Sequence, residues 1–333
     1  MSYTIPSTPV TGDIDSYDLP QYLGELHDLQ PQVTPFLSAA GGLNGVRFVN
    51  SREFVWQVED GEASSAGNSV LENATPTGSA VPRQQVTNVV EIHQEAVEFG
   101  YTAQAVIGQL AGKNLEGMNP VRDPMAHQVN KKIGKIARDV EKSFLNGSLV
   151  NPSDNLTARE TQGIIGAITT HTINYTTGAG GKGTAYTSKR EALNDLLIGM
   201  FEPTDDGNVA PASEDGTFVL FVGGALKVAL SEEYSGDLAY SPRDRYVGGV
   251  NIGNIVTDFG DIGIIMDRYM PSGVMLLADM SVVRSVVLPI PGKGAFFAEP
   301  LAKAGATDKI QIYGEIGLEY GPETFHGTIT AVT

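Results

Sequence analysis

Two runs with the periodicity of a strand stand near the start of the chain. Phe54, Trp56 and Val58 alternate with Val55, Gln57 and Glu59, the spacing of a strand with one covered face. The chain between Glu59 and Arg83 is mostly Gly, Ser, Ala, Asn, Thr and Glu, with no core of its own. A β-like pattern then resumes in Val86, Val89, Val90, Ile92, Ala96, Val97 and Phe99. A lone two-stranded hairpin is marginal in water and needs a surface to lie on, and connections this long are usually functional or mobile. The pattern predicts an arm that docks on a neighbouring copy; the plainer reading is a surface loop of a soluble enzyme.

The strongest helix signal covers 124–145. Asp123 suits the N-cap, Pro124 the first helical position and Asn146-Gly147 the stop. Met125, Val129, Ile133, Ile136, Val140 and Phe144 recur every three or four residues and predict one continuous apolar face. A second helix is predicted from Ser188, where Ser188 and Glu191 match a capping box and Leu193, Leu196, Leu197, Met200 and Phe201 form the stripe. Asp205-Asp206-Gly207-Asn208 predicts a turn, Phe218–Val222 a buried strand, and Ala225–Glu233 a short helix. Strands are predicted at Asn254–Asp258, Ile262–Asp267, Val274–Asp279, Val282–Leu288, Lys309–Leu318 and Thr328–Val332. Scattered helices among antiparallel strands read as α+β.

Charge changes the picture more than composition does. The chain has 333 residues and a net charge of −17, which argues against a protein built to grip phosphate backbones. Residues 1–112 carry three arginines (Arg47, Arg52, Arg83) against 13 acidic residues, and the first lysine is Lys113. From Arg122 to Lys142 there are six basic residues against three acidic ones. An acidic arm and a basic helix suit contacts between copies, as well as ordinary solvated faces. There are no cysteines, which excludes disulfides and thiolate chemistry. The first residues lack the basic and apolar regions of a signal peptide, and no run is long and apolar enough to span a membrane.

Candidate chemistry is sparse. Gly178, Gly180 and Gly183 satisfy a G-x-G-x-x-G spacing, but Ser188 starts the helix too late and no parallel strand leads in, so a flexible linker is the expectation. Glu91, His93 and Glu95 share one strand face. A metal site needs three or four converging ligands, so a solvated polar face is the expectation there. The paired acids Asp205-Asp206 and Glu232-Glu233 read as turn and helix-end charges. Nothing assembles a nucleophile, a base and an oxyanion hole, so no enzyme is expected.

Taken in order, several segments resemble the major capsid protein of tailed bacteriophages, with the Hong Kong 97-type shell fold. They are Thr34-Pro35-Phe36-Leu37, Phe54-Val55-Trp56 with Gln84–Glu98 as a return strand, and Lys135-Ile136-Ala137-Arg138-Asp139-Val140-Glu141. Further on come Thr257-Asp258-Phe259-Gly260-Asp261-Ile262 with Arg268-Tyr269-Met270, Leu301-Ala302-Lys303-Ala304-Gly305, Asp308-Lys309-Ile310-Gln311 and Glu315-Ile316-Gly317-Leu318-Glu319, ending in His326-Gly327. The resemblance implies an N-terminal arm (1–45), an extended loop (46–100), a peripheral domain (101–187) with a spine helix (124–145), an axial domain (188–272) and C-terminal peripheral strands (273–333).

It further implies self-assembly into pentamers and hexamers of an icosahedral shell, in a virion formed in the host cytoplasm, enclosing double-stranded DNA without specific binding. Contacts between copies are expected at Phe36, Trp56, Glu59, Asp60, Glu62, Glu72 and Arg83, and the spine-helix core at Val129, Ile133, Ile136, Val140 and Phe144. No cofactor, metal or membrane is implied. The chain starts directly at the arm, so scaffolding is expected to be a separate protein or absent, and portal and decoration proteins are further expected partners. An encapsulin-like compartment shell is the alternative within the same fold. A cytoplasmic nucleotide-binding enzyme and a tail or adhesin component are alternatives of other classes.

Overall fold

The computed structural model describes residues 33–59, 69–78, 80–102, 109–110, 113–114, 124–154, 156–202, 216–237, 253–303 and 305–332. The expected N-cap at Asp123, the turn at Asp205–Asn208 and the contacts at Asp60 and Glu62 lie outside these residues.

The chain enters the body through a short helix, Pro35–Ala39, which places Phe36 and Leu37 in the core. Of the arm expected over 1–45, residues 1–32 lie outside the described residues, and the part from Pro35 on belongs to the body. Strand β1 (Arg47–Phe48) follows, then β2 (Glu53–Glu59) and β3 (Arg83–Val89), which pair with each other from Glu53↔Val89 to Glu59↔Arg83. The chain continues straight into β4 (Glu91–Gly100), which joins a different sheet. Thus the run expected as one return strand over 84–98 is two strands, broken at the buried Val90, whose N–H donates to the Arg52 carbonyl at 2.9 Å. A two-residue pair, β5 (Gln109–Leu110) and β6 (Lys113–Asn114), precedes the long helix Pro124–Asn146.

β7 (Thr172–Asn174) leads through a glycine-rich turn to helix Lys189–Phe201, whose N-cap Ser188 accepts the Glu191 N–H at 3.2 Å, as the capping pattern predicts. β8 (Phe218–Val222), helix Gly224–Asp237, β9 (Asn254–Thr257), β10 (Gly260–Met266) and β11 (Met275–Asp279) follow. The chain closes with β12 (Arg284–Val287), β13 (Phe296–Pro300), the 13-residue β14 (Thr307–Glu319) and β15 (Gly327–Thr330).

Two main sheets result. In the first, β14 is the centre: β4 lies on one edge over ten paired positions, and β13 and β12 share the other, with β1 outermost. The second has the order β7-β15-β11-β8-β10-β9. It draws strands from 172–174, 218–279 and 327–330, so the segment boundaries expected at 187 and 272 both cut through one sheet. Sheets are closed by partners distant in sequence, which contiguous segmentation does not follow.

β8 and β11 explain how the layers stack. Leu220, Val222, Met275 and Leu277 point to the helices Lys189–Phe201 and Gly224–Asp237. Phe221, Leu276 and Ala278 point the other way, to a core shared with the long helix and Phe36. Strand side chains alternate between faces, and a sheet buried on both sides reads as a continuous apolar run. Phe221 meets Phe36 edge-on at 5.2 Å, which joins the chain's entry helix to this second core.

The five positions expected in the core of the long helix differ in cover. Ile136, Val140 and Phe144 are buried and Val129 is half-buried against the same cluster, but Ile133 is 39% exposed. Toward its end the helix also buries Glu141 and Leu145, so the covered arc is centred between Val140 and Glu141. At about 100° per residue, Ile133 lies within that arc between Val140 and Phe144, so its exposure follows position along the helix: none of the residues 125–135 is buried.

Candidate functional site

The element that leaves the body is the β2–β3 hairpin. Its inward face is Phe54, Trp56 and Val58, and cover falls along it: Phe54 is buried, while Trp56 and Val58 are half-buried. β3 shows the same gradient in reverse, from exposed Arg83, Gln84 and Gln85 to buried Asn88 and Val89. The hairpin is therefore rooted at Glu53/Val89 and projects toward Glu59/Arg83, beyond which the described residues 69–78 are all exposed. Seven residues at about 3.4 Å each make a blade of about 24 Å.

The root is a polar knot. Asn88 donates to the Leu318 carbonyl at 2.7 Å and the Gln162 carbonyl at 3.2 Å, and its Oδ1 accepts the N–H groups of Gln162 and Val89, each at 2.8 Å. Thr161 Oγ donates to the same oxygen at 3.3 Å. Beside it β14 has a glycine, Gly317, where a Cβ would sit 2.8 Å from the Val89 carbonyl and 2.9 Å from the Phe54 ring. A side chain there would push the root off the sheet. Trp56 completes the seat: its Nε1 donates to the Gly321 carbonyl at 2.9 Å, and its ring meets Tyr320 edge-on at 5.0 Å.

The residues expected to touch neighbouring copies divide accordingly. Phe36 is fully buried within its own chain, because the helix that carries it is docked against the long helix, and it is corrected to a core residue. Trp56 uses its only polar atom on its own Gly321. Glu59 and Arg83 face each other across the hairpin neck at 3.1 Å, as their register requires. Glu72 is exposed beyond the neck. Apolar side chains are also presented there: Val55 is 51%, Val70 77% and Leu71 86% exposed. Sequence reasoning passed over Val55, Val70 and Leu71, and over Asn88, whose only signal is a polar residue inside an apolar β run.

The other candidates carry no catalytic arrangement. The glycines at 178, 180 and 183 adopt φ of +72°, +82° and +75° in an ordered turn, not the expected flexible linker. Several of the turn's N–H groups are satisfied internally: Gly178 donates to Asn174 at 2.7 Å, Gly183 to Gly178 at 2.9 Å and Lys182 to Asp195 at 3.0 Å. Glu91, His93 and Glu95 lie on one face of β4, but the long helix covers that face, so it is not solvated. Burial pushes Glu91 up and holds His93 down to about 4. Burial works against the Glu95 charge, but hydrogen bonds from Lys132 (2.8 Å) and Lys135 outweigh it and hold its pKa below the usual range. Two lysines of the basic helix are thereby neutralised within the subunit. Among the described residues no three His, Cys, Asp or Glu side chains converge as a metal site, and no helix is long and apolar enough to cross a membrane.

Comparison with known proteins decides what the projecting blade belongs to. The SU10 major capsid protein family matches residues 8–333. The chain belongs to that family. Its role is structural, not enzymatic: a phage major capsid protein, placed in the capsid of the virion and assembling into an oligomeric shell. The α+β architecture is that of capsid structures. The capsid of cyanophage A-1(L) is 10% identical with a TM-score of 0.61, over 95% of this chain and 97% of that one. The structure of Gordonia phage Cozz is 12% identical with a TM-score of 0.60, over 94% and 91%. The holo-SrpI encapsulin complex from Synechococcus elongatus PCC 7942 is 11% identical with a TM-score of 0.55, over 95% and 92%. No curated protein matches the chain by sequence.

Proposed function

We propose that this capsid protein forms pentamers and hexamers of an icosahedral phage head around double-stranded DNA, with the β2–β3 hairpin laid across an adjacent subunit. The observation that supports this is the hairpin itself: rooted by Asn88 and Trp56, it carries Val55, Val70 and Leu71, which the described residues of its own chain leave exposed. A two-stranded ribbon with exposed apolar side chains gains stability when a neighbouring surface covers it. The same contact repeated around a shell makes stability collective, because each subunit is held by the others.

The charge suits enclosure without grip. A net charge of −17 disfavours tight contact with phosphate backbones, and Glu95 neutralises two of the helix lysines. DNA would then be packed and released without being held by the wall. Assembly is placed in the host cytoplasm, with scaffolding, portal and decoration supplied by separate proteins. The domain roles follow the shell fold: the five-stranded sheet and long helix form the peripheral part, and the six-stranded sheet with its two helices the axial part.

Negative-stain microscopy of the purified full-length protein tests the reading. Closed shells or hexameric capsomers are expected, and uniform small particles of one or two chains would overturn it. Extraction of the particles distinguishes the encapsulin-like alternative: enclosed double-stranded DNA supports the phage head, and a protein cargo the compartment.

A further inference from the structure

The helix by which the chain enters the subunit is held by a buried acid pair. Glu141 on the long helix and Asp267 after β10 are both fully buried. Glu141 accepts the Phe36 N–H through Oε1 at 2.9 Å and the Leu37 N–H through Oε2 at 2.5 Å, so both of its oxygens hold a segment about 100 residues away. Asp267 accepts the Tyr269 N–H through Oδ1 at 2.8 Å, while its buried Oδ2 meets no donor if both carboxyls are bare. Two neighbouring carboxylates out of water cannot both stay charged cheaply, because they repel and neither is hydrated. A proton on Glu141 supplies the missing donor.

Cations lie near the pair without being buried with it. The entry helix Pro35–Ala39 faces it with backbone N–H groups. The long helix adds Arg138 and the turn after β10 adds Arg268, both felt at Tyr269 beside the pair. Lys189 lines the same cavity as Asp267 and Arg268. These cations act on the rim, and both carboxyls are fully buried.

We propose that a proton held on Glu141 beside Asp267 latches the entry helix to the subunit body, and that its loss in mild alkali drives the two side chains apart and frees Phe36 and Leu37. Burial, then the hydrogen bond and charge of Asp267, push Glu141 up to about 8, against the two backbone donors that lower it. A carboxyl whose folded pKa is raised binds its proton more tightly when docked. Docking is therefore firmest below the ordinary carboxylate range, weakens as pH rises to about 8, and changes little above it. The edge-on packing of Phe36 on Phe221 opposes release but does not depend on pH.

Amide hydrogen exchange on the full-length chain between pH 6 and 9, corrected for intrinsic rates, tests the latch. The Phe36 and Leu37 amides should lose at least about tenfold protection across that range, while Ile316 and Leu318 in β14 stay constant. Asp267→Asn keeps an oxygen for Tyr269 and donates an amide to Glu141 without a second charge; burial of Glu141 remains, so its Phe36 and Leu37 protection should vary with pH less than in the unaltered protein. Should that variant fail to fold, Glu141→Gln leaves Asp267 as the one charge and should give a flat profile, at lower protection. Constant protection in the unaltered protein, or the same pH dependence in the variant that folds, would overturn the proposal.

Discussion

Replacing Asn88 by alanine should loosen the hairpin root before anything else. Asn88 is buried and bridges three segments: β3, the 161–162 loop and β14. Truncation leaves the Leu318 carbonyl and the Gln162 N–H without this partner, in a place where water has little access. At about 1–3 kcal/mol for each buried group left unmade, and allowing for partial relaxation, the expected loss is about 3 kcal/mol. That is more than a hundredfold in the folded-to-unfolded ratio. The chain has a single tryptophan, and it sits at this root as Trp56 against Tyr320. Urea unfolding of unassembled subunits followed by tryptophan fluorescence therefore reads the perturbed region directly. Gln85→Ala, at the exposed end of β3, is the control and should stay within about 0.5 kcal/mol. A loss below about 1 kcal/mol for Asn88→Ala, or an equal loss for the control, would show that the root is not held by this knot.

Other expectations are independent of that one. Deleting Gly61–Pro82 should leave a soluble, folded subunit that no longer forms particles by microscopy; normal particles would remove the docking role of the hairpin. Denaturing gels of boiled particles should show one band near 35.3 kDa, because no lysine precedes Lys113 to cross-link the hairpin, and covalent ladders would contradict a non-covalent shell. Phe144→Ala should cost about 3–5 kcal/mol in thermal or chemical unfolding, whereas Ile133→Asp, at an exposed position of the same helix, should cost less than about 1 kcal/mol. Acid should act through His93, held neutral by burial with a pKa of about 4 against 6.5 when free. The unfolded chain takes up that proton first, so stability falls as pH drops from 6.5 to about 4, by up to about 3 kcal/mol, and His93→Gln should flatten that part of the unfolding profile.

Periodicity determined the elements whose burial is one-sided and local. The alternation of Phe54, Trp56 and Val58 is the inward face of β2, Ser188 caps its helix through Glu191, and Phe218–Val222 is a buried strand as read. Local pattern reports which side chains favour burial, because helices and strands repeat at fixed intervals. It does not report what covers them. Only the tertiary structure decided that the run through Val90 changes sheets, since β3 pairs with β2 while β4 pairs with a strand more than two hundred residues later. The same holds for Phe36, whose burial depends on the long helix, and for Ile133, which matches the apolar spacing but lies on the first half of the helix, where no residue from 125 to 135 is buried. The acid pair was equally out of reach: Glu141 and Asp267 each look like an ordinary surface charge until the fold buries both. Register, sheet order and the state of buried charges are set by contacts between distant segments, and those contacts exist only once the chain has closed.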